Sequence, residues 1–205
     1  MPFLTDADRS RIAAAIAAAE TRTGGEIVAV IAQAAGDYRA PAVLWPALLA
    51  LAMPAVALTT WPHLAGWPLY LAQVGLFVVL GLLAHVPAVR TRLVPEASRR
   101  RRAARLARQQ FFEQGLHLTR DRTGVLIFVA VAEHHVEIIA DLGIDRAVPP
   151  GSWAKAVAAF VERVRAGQVA EGFLAAISEV GEHLTRHVPR RPDDVDERPN
   201  RLIEI

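Results

Sequence analysis

Residues 40–89 contain no Lys, Arg, Asp or Glu. A helix in water needs a polar face, and a stretch this long without charge supplies none. It does accommodate two helices of about 20 residues and a short turn, the length that crosses a bilayer core of about 30 Å. The first reads "PAVLWPALLALAMPAVALTTW" (41–61) and the second "WPLYLAQVGLFVVLGLLAHV" (67–86), with Pro62 and Gly66 marking the turn. Trp45, Trp61, Trp67 and Tyr70 suit interface depth. Pro46 and Pro54 are better tolerated in membrane helices than in soluble ones. We therefore expect a transmembrane helical hairpin over 40–89, with the lipid bilayer as its partner.

The flanks set the expected orientation. Arg90, Arg92, Arg99, Arg100, Arg101, Arg102, Arg105 and Arg108 follow the second helix, whereas the turn carries no charged residue. The positive-inside bias then puts both flanks in the cytoplasm and residues 60–67 outside. The expected location is a bacterial inner membrane, with a multi-pass chain and a cytoplasmic soluble domain. The N-terminal "MPFLTDADRSRIAAAIAAAE" is amphipathic and acid-containing, unlike a basic region followed by an apolar core. The absence of cysteine agrees with a reducing compartment. Beside a membrane helix, anionic lipid accounts for Arg99–Arg102 more simply than RNA, and no nucleic-acid partner is expected.

Outside the hairpin the pattern is that of an α/β protein. Thr5 or Asp6 can cap a helix over 6–22, and "TRTGG" ends it. "EIVAVIA" (26–32) is rich in β-branched residues and almost uniformly apolar, as in a strand buried on both faces. Residues 96–118 form a helix with a basic first half, and "VLIFVAVA" (125–132) a second buried strand. "HVEIIADLGI" (135–144) alternates more and reads as an edge strand. Helices then run to about Arg165 and over 169–187. The first flank offers one helix and one strand, too little to bury either. Residues 1–39 and 90–188 are thus expected to form one discontinuous domain, a small three-layer α/β/α sandwich with a mixed sheet. Its first two strands would be parallel, joined by a crossover, and its last two antiparallel, joined by a tight turn. Residues 189–205, with few apolar side chains, are expected to be a mobile tail.

These elements carry motifs in an order that resembles the TPM domain. Its "TG-x-(E/Q)-I" strand has a counterpart in Thr23-Gly24-Gly25-Glu26-Ile27. Its "N-G-V-L" strand corresponds to Asp121-Arg122-Thr123-Gly124-Val125-Leu126, and its "G-Y-G-(L/I)-(E/D)" end to Asp141-Leu142-Gly143-Ile144-Asp145. The resemblance spans 4–33 and about 100–188, and is nearest the short bacterial branch whose membrane helices interrupt the domain. It implies an α/β/α sandwich and a wide range of functions: acid phosphatases, calcium binders, photosystem repair factors and receptor accessory proteins. Arg122-Thr123 stands where the family has Asn, and Asp141-Leu142 where it has Gly-Tyr.

The expected topology also gathers candidate site residues. Asp121, Asp141 and Asp145 would converge at the membrane-distal end of the sheet. Ca²⁺ or Mg²⁺ would suit such an oxygen-rich set, and a carboxylate pair with Arg122 could hold phosphate. The competing reading makes them solvated turn and cap residues, which Asp favours. Glu133-His134-His135 would be a membrane-proximal turn, since adjacent strand residues point to opposite faces. His183 and His187 have a metal-capable spacing without a third ligand fixed by sequence, and His63 and His85 sit near the expected interfaces. There is no nucleotide-binding glycine loop, nucleophile signature or zinc cluster, and one hairpin without an intramembrane ion pair does not suggest a transporter. No catalytic set is assigned. Two functions follow: a binding or accessory module docking on a membrane protein partner, or a metal-dependent acid-phosphatase-like hydrolase using the three aspartates.

Overall fold

A computed structural model of the chain describes residues 4–37, 39–61, 66–86, 89, 94–149, 151–194 and 196–205. Pro62, His63, Arg90 and Arg92 lie outside them. The chain divides into two compact units, Met1–Ala35 with Arg102–Ile205, and Gly36–Arg101.

The first unit is built on two strands, β1 (Glu26–Ala32) and β2 (Gly124–Ala130), each buried along its whole length. They pair in parallel, Ile27 opposite Val125 and Ala32 opposite Ala130. Because side chains alternate across a strand, two strands apolar apart from Glu26 feed two separate cores. Ile27, Ala29, Ile31, Val125, Ile127 and Val129 face one of them, and Val28, Val30, Ala32, Leu126, Phe128 and Ala130 the other. β3 (His135–Ala140) pairs antiparallel with β2 and is half-buried, as an edge strand should be.

Helices cover both faces. On one lie α1 (Asp6–Glu20), α6 (Trp153–Arg165) and α7 (Val169–His187), contributing Ile12, Ile16, Phe160, Phe173, Ile177 and Leu184. Phe160 meets Phe173 edge to face at 4.9 Å, a geometry aromatic rings favour. On the other face α4 (Glu96–Glu113) contributes Ala103, Ala107 and Phe111. The three-layer α/β order and the mixed sheet are as expected. α1 begins with a capping box: the Asp8 N–H donates to Thr5 Oγ1 at 3.2 Å, and the Thr5 N–H to Asp8 Oδ2 at 3.1 Å.

Three local expectations are corrected. The helix expected over 96–118 ends at Glu113, and a 3₁₀ turn (Leu116–Leu118) follows Gly115, whose φ of 65° is left-handed. The edge strand expected over 135–144 stops at Ala140. There Asp141 accepts a hydrogen bond from the Leu142 N–H at 2.8 Å and caps a short helix, α5 (Leu142–Ala147). Residues 189–205, expected as a mobile tail, run back along the domain and end in a fourth strand, β4 (Leu202–Glu204). β4 pairs in parallel with β1, giving the order β3-β2-β1-β4. Leu202 packs toward one core and Ile203 toward the other. Three residues suffice because they complete an existing sheet edge.

The second unit contains α2 (Arg39–Thr60) and α3 (Trp67–His85). Val43 and Pro46 near the start of α2 adjoin Phe77, Val78 and His85 near the end of α3, so the helices run antiparallel. Both have the length and apolar composition to cross a membrane. Their large apolar side chains point outward: Leu51 is 71 % exposed, Trp67 70 % and Leu82 68 %. Ala50 and Ala84 are buried, and the His85 ring bonds the Gly81 carbonyl at 2.8 Å.

Candidate functional site

Where β1 and β2 begin, four segments are tied together by hydrogen bonds. The Gly24 N–H donates to the Val188 carbonyl at 2.9 Å, and Thr123 Oγ1 to the Gly24 carbonyl at 2.8 Å. The Gly143 N–H donates to the Arg122 carbonyl at 2.9 Å. Gly143 is required here, because a Cβ would stand 2.3 Å from the Asp121 carbonyl oxygen and 2.7 Å from that of Arg122. Between these segments opens a cleft of about 490 Å³, lined by Asp121, Gly143, His187, Arg190, Arg191 and Asp194 among others.

The cleft is ionic. Arg122 grips Asp141 with two hydrogen bonds, Nε to Oδ2 at 2.6 Å and Nη2 to Oδ1 at 2.9 Å, the forked geometry that makes such pairs strong. Burial by itself would raise the Asp141 carboxyl. The Arg122 and Leu142 donors, with the charges of Arg122 and His117, outweigh it and hold the group below the usual carboxylate range. Arg122 has φ 58°, a left-handed conformation uncommon for a non-glycine residue. Asp121 pairs with Arg191 at 2.9 Å, a partner reaching in from the C-terminal segment.

Two further acids anchor that segment. Glu26 accepts from the backbone N–H groups of Glu197 at 3.0 Å and Arg198 at 3.1 Å. Glu20 accepts from the Ile27 N–H at 2.8 Å, and Arg190 donates to the Glu20 carbonyl at 2.9 Å. Burial pushes the Glu20 carboxyl up to about 8 and raises that of Glu26.

Of the three aspartates read from the sequence, the structure brings the loops of Asp121 and Asp141 together. Only Asp121 of the three lines the cleft; Asp141 lies outside its lining, and Asp145 is exposed on α5. With Asp141 held by Arg122 and Asp121 by Arg191, the donor set as arranged does not fit a hard cation, which needs several uncommitted oxygens. Among the described residues, no three His, Cys, Asp or Glu side chains cluster to hold a metal. The cleft residues that sequence reasoning missed are Arg190, Arg191 and Asp194, all in the segment taken for a tail. Their only signal was the charge density of "PRRPDDVDER" (189–198).

The conspicuous Glu133-His134-His135 forms a turn at the other end of the sheet. The His134 N–H donates to the Val131 carbonyl at 3.1 Å, and His134 has φ 51°. Glu133 accepts from the Ala35 N–H at 2.9 Å, and His135 Nε2 meets Glu137 at 2.9 Å. His183 stacks edge to face on Trp153 at 5.8 Å, whereas His187 borders the cleft.

Comparison with known proteins agrees with this architecture. The family model described as the TPM domain matches residues 88–183. The fold is similar to that in the NMR structure of BA42 protein from the psychrophilic bacterium Bizionia argentinensis. That likeness has a TM-score of 0.62 at 20 % identity, covering 100 % of this chain and 97 % of that one. No curated protein sequence matches the chain. β1 precedes the matched segment, yet it is the strand beside β2 in the same sheet. By this match, the chain contains a TPM domain over residues 88–183, and the fold agrees with it.

Proposed function

We propose that the chain is a membrane-anchored TPM-domain protein that serves as a binding or accessory module at the cytoplasmic face of a bacterial inner membrane. The observation that carries this reading is the helix pair α2 and α3, whose leucines, valines and tryptophans face outward. Lipid solvates such a surface, whereas water does not. The arginines after α3 favour a cytoplasmic domain. The partner is a membrane protein docking on the domain. A reporter inserted at 62–66 is expected to register outside and one at the C-terminus inside; the reverse pattern would overturn the orientation. Crosslinking in intact membranes is expected to recover a reproducible membrane protein, and a folded protein with none would count against the accessory role.

A second reading is a metal-dependent acid-phosphatase-like hydrolase with Asp121, Asp141 and Asp145 as ligands for Ca²⁺ or Mg²⁺. Its support is the close approach of the 121–123 and 141–143 loops, with Arg122 bound to Asp141. Binding would first have to release Asp141 from Arg122 and Asp121 from Arg191. Phosphatase assays with and without divalent cations test it, with Asp121→Ala and Asp141→Ala as controls. Absence of activity in well-folded protein would dismiss it.

A further inference from the structure

At the end of the sheet opposite the ionic cleft, β2 runs into the 131–134 turn and β3 begins. The last turn of α6 and the first of α7 lie across from them. Between them is a groove of about 620 Å³, within the range of about 300–1,000 Å³ typical of small-molecule sites. Val131, Val136, Val161, Val164 and Val169 line it and are all half-buried.

Two features of this lining select a ligand. The walls are aliphatic, and the only ring systems are the two imidazoles, His134 and His135. Branched methyl groups give dispersion contact to a flexible hydrocarbon but no flat platform for an aromatic base. The lining also contains one permanent cation, Arg165, and no acid. Arg165 is exposed and makes no ion pair among the described residues, in contrast to Arg122 and Arg191 at the other end of the sheet. The nearby Glu137 is engaged by His135. A hydrocarbon-lined groove with an uncommitted guanidinium complements a ligand with an apolar body and an anionic end.

We propose that the groove between the 131–136 turn and the α6–α7 junction binds a long-chain fatty acid anion, its chain against the valines and its carboxylate on Arg165. This assignment does not depend on the accessory or hydrolase reading, since it concerns a different end of the domain.

The test uses the full chain in nanodiscs with a diazirine-bearing palmitate, and crosslinked residues located by mass spectrometry. Site mapping separates the groove from the apolar hairpin, into which any fatty acid partitions. Crosslinks are expected within 129–136 and 161–169 and are expected to disappear when unlabelled palmitate is added. Loss of one charge-assisted hydrogen bond weakens binding about tenfold or more, so hexadecanol should compete at least that much less well. Val164→Trp, which fills the groove, should abolish these crosslinks. Arg165→Glu alters an exposed side chain, leaves the fold intact, and should remove the preference for acid over alcohol.

Unlabelled groove peptides, equal competition by acid and alcohol, or unchanged labelling in Arg165→Glu would overturn the proposal. So would labelling by a photoreactive phospholipid in the disc that palmitate does not displace, which would make bilayer lipid the occupant. Crosslinks joining the groove to another polypeptide, undisturbed by palmitate, would make it a protein-docking surface instead.

Discussion

Where β1 and β2 begin, two ion pairs hold the loops, Asp121–Arg191 lining a cleft and Asp141–Arg122 outside its lining; where the same strands stop, five half-buried valines border an open groove. The two ends share a sheet but hold their loops differently. At the ionic end, the chain is fixed by directional contacts: a forked Arg–Asp pair, a cap, and a glycine pressed against two carbonyls. At the valine end, the contacts are non-directional and one side of each side chain is already open. Substitutions of the buried anchors at the ionic end, Asp141 and Gly143, should therefore cost more and depend more on identity than those in the groove.

The largest expected effect is that of Asp141→Ala. It removes both the partner of Arg122 and the cap of α5, and should destabilise the domain by about 2–3 kcal/mol in chemical unfolding. A loss below about 0.5 kcal/mol would mean that the pair holds nothing. Gly143→Ala should follow, at about 1–3 kcal/mol, because its Cβ meets rigid backbone. Wild-type melting in this variant would show that the loops separate freely.

The third prediction concerns pH. Glu20 has its carboxyl raised to about 8 by burial, so the folded state holds a proton that the unfolded chain releases. The stabilisation is complete below the usual glutamate range and is lost as pH rises through about 8, by at most about 1.4 kcal/mol per pH unit. Glu20→Gln keeps the acceptor for the Ile27 N–H and should flatten this slope between pH 5 and 8. An unchanged slope would assign the dependence elsewhere. In the groove, Val164→Ala should cost only about 0.5–1 kcal/mol, since the side chain is half-buried. A cost equal to that of Asp141→Ala would erase the contrast between the ends. Smallest is Arg191→Ala, at about 0.5 kcal/mol or less, because both members of its pair are substantially exposed. Thermal melts of the two proteins should nearly superimpose.

Much of the sheet was legible because its signals are local. β1 follows from one β-branched apolar run, α7 from helical spacing, and the strand directions from the lengths of their connections. The meeting of the 121 and 141 loops follows from those directions. β4 was not legible, because "LIE" among arginines, proline and asparagine becomes a strand only against the waiting edge of β1. α5 was missed for a related reason: "ADLGI" continues an alternating pattern, and only the Asp141 cap turns it into a helix. The partners of Asp121 and Glu26 were hidden with β4, since they come from the segment that leads to it.

The position of β1 has a consequence for how the domain is made. Ala29 lies between Ile127 on one side and Leu202 on the other. A ribosome therefore completes this central strand well before either neighbour exists, and the whole apolar hairpin is synthesised in between. Such long-range pairing is slow to form, and an unpaired apolar strand is prone to aggregate while it waits. On the proposed membrane-anchored reading, prompt insertion of the hairpin would shorten that exposure by keeping the early strand tethered where its partners will emerge.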